Sequence, residues 1–199
     1  ADLVGERVGF RAVAVGDLRI LANNISIVRN SLQFSPSATI FVASLATMTL
    51  AASVLGAGVL GDRYGMKRMF VAGACGAVVF GFIGAAAPNV VVLMIARACI
   101  GVAFAFLSGL SLAIMNAVFP PDRRAAAIAR YLAAVYAFGV VPATVGSLLA
   151  EHIGWRIGLL VTPLLSILVV VITMRYVPET QRSQQKIDIP GLLLVAAAL

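Results

Sequence analysis

Long stretches of this chain contain no charged residue at all, 69–87 and 157–174 among them. A helix of about 18 to 20 predominantly apolar residues is the length that crosses the hydrocarbon core of a bilayer. Runs of this kind restrict the chain to folds whose backbone hydrogen bonds close within each segment, because lipid offers no partners. The rest of the chain agrees: 61% of residues are hydrophobic and 12% charged, where soluble domains average about 25% charged. The sequence therefore describes an all-α integral membrane protein.

Six spans and the start of a seventh are expected, at 8–28, 38–61, 69–87, 90–119, 125–150, 157–174 and from about Ile189. The first carries Arg11, Asp17, Arg19, Asn23 and Asn24, so an amphipathic helix lying in the membrane interface is its alternative reading. The segment "DIPGLLLVAAAL" starts like a helix, with Asp188 as N-cap and Pro190 in the first turn. It provides only about half a crossing, so the expectation is a longer chain whose C-terminal half is missing. The expected division is a bundle over 1–176, then a connector and the start of span 7 over 177–199.

The net charge is +7, but the basic residues form no stripe interleaved with aromatics, and no nucleic-acid partner is expected. They alternate between sides of the membrane. Arg7, Arg11, Arg63, Lys67, Arg68, Arg123, Arg124, Arg130, Arg175, Arg182 and Lys186 fall on one side, Arg29 and Arg156 on the other, and Arg19 and Arg97 within spans. Eleven against two predicts a cytoplasmic N-terminus by the positive-inside rule. Cys75 and Cys99 lie in apolar runs and His152 stands alone, so no metal, cofactor or disulfide framework is expected. Paired carboxylates, Cys–His and Ser–His–Asp sets are absent from the sequence, and an enzyme is not expected.

Small residues recur in the spans. Ala52 and Gly56, Ala57 and Gly61 are spaced by four, and span 3 carries Gly73, Gly76, Gly81 and Gly84. Such faces let helix backbones approach closely; tight packing is the first reading, and sliding of helices against one another the second.

The connection "GVLGDRYGMKR" holds Asp62, Arg63, Lys67 and Arg68 around Gly65, a residue suited to a turn with positive φ. Gly58-x-Leu60-Gly61-Asp62-Arg63-x-Gly65-x-Lys67 resembles the loop between spans 2 and 3 of the major facilitator superfamily, with Met66 where the pattern has Arg. The resemblance implies a bundle of 3+3 inverted repeats. It also implies a latch in which Gly58, Asp62, Arg63, Gly65, Lys67 and Arg68 hold the N-terminal bundle to the C-terminal one, Asp62 facing a helix N-terminus of that missing half.

"LMIARACIGVAFA" resembles the family's span 4 pattern, with Arg97 and Gly101 in place. A cation inside a span costs about 2.5–3.5 kcal/mol on insertion scales and needs a partner, a wet cavity, or a surface close enough to reach by snorkelling. In span 1, "GDLRILANN" places Asp17 where related drug:proton antiporters carry an acid; Arg19 and a missing proline depart from their pattern. Asp17 and Arg19 project about 200° apart on a helix and cannot pair face to face. The expected cavity set is Asp17, Arg19, Asn23, Asn24 and Arg97, with Asp17 a protonatable group; an ion pair of Asp17 with Arg97, or with Arg19 across helices, serving only structure is the alternative.

Span 5, "AFGVVPATVGSLL", resembles the antiporter glycine–proline signature at Pro142 and Gly146, with Ala137, Val141 and Val145 in place of glycines. Pro142 is expected to kink the helix. "EHIGWRIGLL" is similar to the opening of span 6 in drug-transporter branches, and the short connector after it to the fourteen-span type. The resemblance as a whole implies a multi-pass transporter of the cell membrane, moving a small hydrophobic or amphipathic molecule by alternating access, with proton-coupled efflux. Its partners would be lipid, substrate and protons. The alternative is a non-transporting module that tethers or regulates a soluble domain beyond residue 199.

Overall fold

A computed structural model describes residues 2–118 and 120–176, and the side chains of 12–109, 120, 122–168, 170, 171, 174 and 175. The expected start of span 7 and the connector before it lie outside the described residues. Six helices follow one another: α1 (Asp2–Leu32), α2 (Pro36–Tyr64), α3 (Met66–Ala85), α4 (Val90–Val118), α5 (Pro121–His152) and α6 (Trp155–Tyr176).

Local chemistry sets the boundaries. Ser35 is the N-cap of α2, its hydroxyl accepting from the Ala38 N–H at 3.3 Å, and Pro36 occupies the first turn, where a missing N–H costs nothing. The Asn89 side chain does the same for α4, accepting from Val92 N at 3.0 Å. Between α2 and α3 stands a single residue, Gly65, at φ 100°. Its N–H closes the last turn of α2 on the Gly61 carbonyl at 3.0 Å, while its own carbonyl accepts from Met69 to open α3. His152, which falls between the expected spans 125–150 and 157–174, is the last residue of α5; its Nδ1 lies 3.0 Å from the Leu148 carbonyl.

Helices α2, α3, α4 over Val90–Gly109 and α5 over Asp122–His152 are long and apolar enough to cross a membrane, and α6 holds a shorter apolar stretch, Trp155–Leu168. The charges of α1 keep it out of that group, yet it does not lie in the interface. It packs along α5 and α6, burying Ala12, Val13, Ala14, Ile20, Leu21 and Val28. Packing within the bundle, not hydropathy, places this helix.

The neighbour relations have an internal symmetry. Helix α1 packs on α5 and α6, as α4 packs on α2 and α3; α2 touches α3 as α5 touches α6; and α3 meets α6. Exchanging α1 with α4, α2 with α5 and α3 with α6 returns the same set. A repeat of three helices ends on the opposite side from where it began, so the second copy runs inverted. The fold is a six-helix bundle of 3+3 inverted repeats.

Small residues make these contacts possible. A Cβ placed on Gly73 would lie 2.7 Å from Cβ of Phe106, and one on Gly81 3.0 Å from the Pro163 ring. The two expected small-residue pairs of α2 part company: Ala57 and Gly61 are buried, while a Cβ added at Gly56 would meet nothing within 4 Å.

Candidate functional site: a buried ion pair

Arg97 lies seven residues into α4 and Thr162 seven residues into α6, each about 10 Å from the start of its helix at 1.5 Å per residue. Both helices start at the end of the bundle opposite the Gly65 loop, so the two side chains reach the same depth. Asp17, on α1, meets them there. Arg97 Nη1 stands 2.7 Å from Asp17 Oδ2, with the two side chains 1% and 2% exposed. The Thr162 hydroxyl donates to Asp17 Oδ1 at 2.7 Å. The Ser166 hydroxyl, one turn on, donates to the Thr162 carbonyl at 2.8 Å. Three helices from both repeats thus converge on one carboxylate.

The pair is close but not fully satisfied. The Nη1–Oδ2 approach is short enough for an ion pair without being aligned as a hydrogen bond, and Arg97 Nε and Nη2 are buried with no hydrogen-bond partner among the described residues. Unmet donors on a buried cation are costly, and such groups call for a further partner, an ordered water or ion among them. Burial and pairing, rather than snorkelling, describe Arg97.

The other expected cavity residues separate by helix face. Arg19, about 200° around α1 from Asp17, is exposed, as is Asn23. Asn23 Nδ2 donates to Ser147 Oγ of α5 at a long 3.4 Å. Asn24 is buried and donates to the Ile20 carbonyl of its own helix at 2.9 Å. Asp17 and Arg97 are brought together; Arg19 and Asn23 open outward; Asn24 serves its own backbone.

At the other end, Asp62, Arg63 and Arg68 are exposed and Lys67 is half-buried around the buried Gly65. The Arg63 guanidinium sits 5.5 Å from the centre of the Tyr64 ring. Asp62 makes no ion pair among the described residues, and a Cβ added at Gly58 would meet nothing within 4 Å.

The sequence profile described as Major Facilitator Superfamily matches residues 10–192. The chain belongs to the major facilitator superfamily. It is 32% identical over 181 residues to the major facilitator superfamily multidrug transporter mfsC of Aspergillus fumigatus, covering 86% of this chain and 34% of that one. It is also 32% identical over 155 residues to the drug efflux pump JefA of Mycobacterium tuberculosis, covering 77% of this chain and 30% of that one. The chain therefore spans about a third of the length of these relatives. Among solved structures it resembles the peptide transporter POT bound to sulfate, with a TM-score of 0.74, 19% identity, and coverage of 98% of this chain and 43% of that one. The proton:xylose symporter XylE gives a TM-score of 0.71 at 16% identity, over 88% of this chain and 44% of that one. These two likenesses concern the fold. The protein is a multi-pass membrane protein built on the superfamily's bundle.

Within this superfamily member, the helix-crossing residues read from the sequence sit at inter-repeat contacts. A Cβ on Gly101 of α4 would collide with Thr49 and the Ala46 carbonyl of α2. Pro142 of α5 lies inside a helix that continues to His152, its ring against Gly16 of α1. Gly146 faces Ile20 and the Gly158 carbonyl. Sequence reasoning passed over Thr162 and Ser166, because span 6 reads as an uncharged apolar run. The signal was present: two hydroxyl residues one turn apart, flanking Pro163 in "VTPLLS".

Proposed function

We propose that this chain holds the N-terminal six-helix bundle, over 1–176, of a secondary transporter, followed over 177–199 by a connector and the start of span 7 that lead to a C-terminal half. The full protein moves a small amphipathic molecule across a cell membrane by alternating access, in exchange for protons. The observation that carries this reading is the Asp17–Arg97–Thr162 cluster. A carboxylate held at membrane depth between two inverted repeats, against an arginine with unmet donors, is a natural place for a proton to enter. Protonation of Asp17 would remove half of the ion pair between α1 and α4 and release Arg97 to other acceptors. Names of efflux proteins among the relatives support outward transport, and the tethering alternative gains no support from the described residues.

The Gly65 end is assigned to the cytoplasm on the strength of its excess of basic residues. There Asp62, at the end of α2 and without an ion pair among the described residues, would accept from a helix N-terminus of the C-terminal half.

The test uses the full-length protein in inverted vesicles, with ethidium and radiolabelled taurocholate as probes of opposite charge. Accumulation of either probe on imposing a proton gradient, lost in Asp17→Asn at matched abundance of folded protein, is the expected result. Accumulation undiminished in Asp17→Asn removes Asp17 from coupling; no accumulation of either probe contradicts the transport reading.

A further inference from the structure

The uncovered face of α1 is polar where those of α2 and α6 are rich in large apolar side chains. Arg19, Asn23, Ser26 and Asn30 are all exposed and recur at helical spacing, so they form one stripe. The only other exposed residue between them is Ala22. The exposed large hydrophobic residues come from the other helices: Ile40, Phe41, Met48 and Leu55 on α2, for example, and Leu164, Leu168 and Val171 on α6. Among the described residues α1 contributes none. A helix face carrying an arginine and two asparagines is expensive against acyl chains, so this stripe fronts water or a polar occupant. It borders α5 through the Asn23–Ser147 contact.

The charge on that face is unbalanced. Of the acidic side chains, Asp62 and Asp122 lie at the Gly65 end and Glu151 at the far end of α5, leaving Asp17 as the carboxylate at depth among the described residues. Asp17 is buried on the opposite side of α1 and already paired with Arg97. Arg19 makes no ion pair among the described residues. Among the described residues the open face therefore offers one cation without an ion pair, several amide and hydroxyl groups, and no acid with which to receive a positive charge.

We propose that Arg19 contacts the transported compound directly, and that this compound is an amphipathic organic anion bearing a carboxylate, sulfonate or phosphate. The guanidinium binds such groups through two parallel N–H donors, and Asn23 and Ser147 add neutral donors beside it. A cationic amphiphile entering this face meets repulsion from Arg19 with no compensating carboxylate. The proposal rests on the transport reading above and narrows its substrate class.

The test compares wild type with Arg19→Gln, Arg19→Lys and Arg19→Glu in the full-length protein, at matched membrane abundance, using the same vesicles. Wild type is expected to accumulate taurocholate in preference to ethidium. Arg19→Gln should raise the KM for taurocholate about tenfold or more, the size of a lost charge-assisted contact, while Arg19→Lys retains most of the uptake. Arg19→Glu should reverse the preference toward ethidium. A further arm with fluorescent phosphatidylglycerol separates a lipid anion from a soluble one; movement of either anion that depends on Arg19 supports the assignment. Ethidium accumulation without movement of either anion, or anion transport untouched by Arg19→Gln, overturns the proposal and leaves the transport reading standing. Failure to move any probe overturns both.

Discussion

The Thr162 hydroxyl donates to Asp17 at 2.7 Å, tying α6 to a carboxylate that α4 holds from the other side through Arg97. Replacing Thr162 with Val keeps the side-chain shape and removes the donor. A buried acceptor left unmet costs about 1–3 kcal/mol, so Thr162→Val is expected to lower the midpoint of thermal unfolding in detergent and to slow gradient-driven transport. Thr162→Ser, which restores the hydroxyl, should recover most of both. Valine behaving like wild type in both assays would remove Thr162 from the site.

The Asp17–Arg97 pair makes a non-additive prediction. Removing one partner of a buried pair strands the other charge, at a cost of about 3–5 kcal/mol. Asp17→Asn and Arg97→Gln should each destabilise strongly, and the double variant should be less destabilised than the two losses added together. The midpoints of thermal unfolding of the four proteins give the coupling directly; strict additivity would mean that the 2.7 Å approach contributes nothing.

Two glycines should respond in opposite ways to the same added methyl group. A Cβ on Gly158 would stand 2.5 Å from the Gly146 carbonyl oxygen and 2.6 Å from Cβ of Ala150, whereas one on Gly56 meets nothing within 4 Å. Overpacking costs about 1–3 kcal/mol, so Gly158→Ala should reduce folded yield and thermal midpoint markedly while Gly56→Ala leaves both near wild type. Equal effects would contradict the α5–α6 crossing described above.

At the Gly65 loop, the strain is in the backbone rather than in space. Gly65 has φ 100° with no neighbour within 4 Å of an added Cβ, so Gly65→Ala should cost about 1–3 kcal/mol through conformation alone. The expected sign is faster proteolytic nicking between α2 and α3, without the loss of bundle packing expected for Gly158→Ala.

Much of this was legible in the residues. Apolar runs and turn residues located α2 to α6 to within about four positions, because span length and capping act locally, whereas the charged α1 begins six residues before its expected start. The pairing of Asp17 with Arg97 could be posed as an alternative but not chosen, since it depends on where α1 and α4 cross, 80 residues apart in sequence. Thr162 escaped because a hydroxyl barely perturbs the hydropathy of an apolar run. The division between Asp17 and Arg19 followed from helical geometry, yet which of the two faced inward required the packing of α1 on α5 and α6.

The most direct measurement follows protons. Full-length protein is reconstituted into vesicles with pyranine trapped inside, and substrate is added under no imposed gradient. Substrate-driven proton movement in wild type, absent from Asp17→Asn at equal reconstitution, is the result expected of a carboxylate that carries the coupled proton. Proton movement of wild-type size in Asp17→Asn would contradict it and leave the buried pair a structural tie between the repeats.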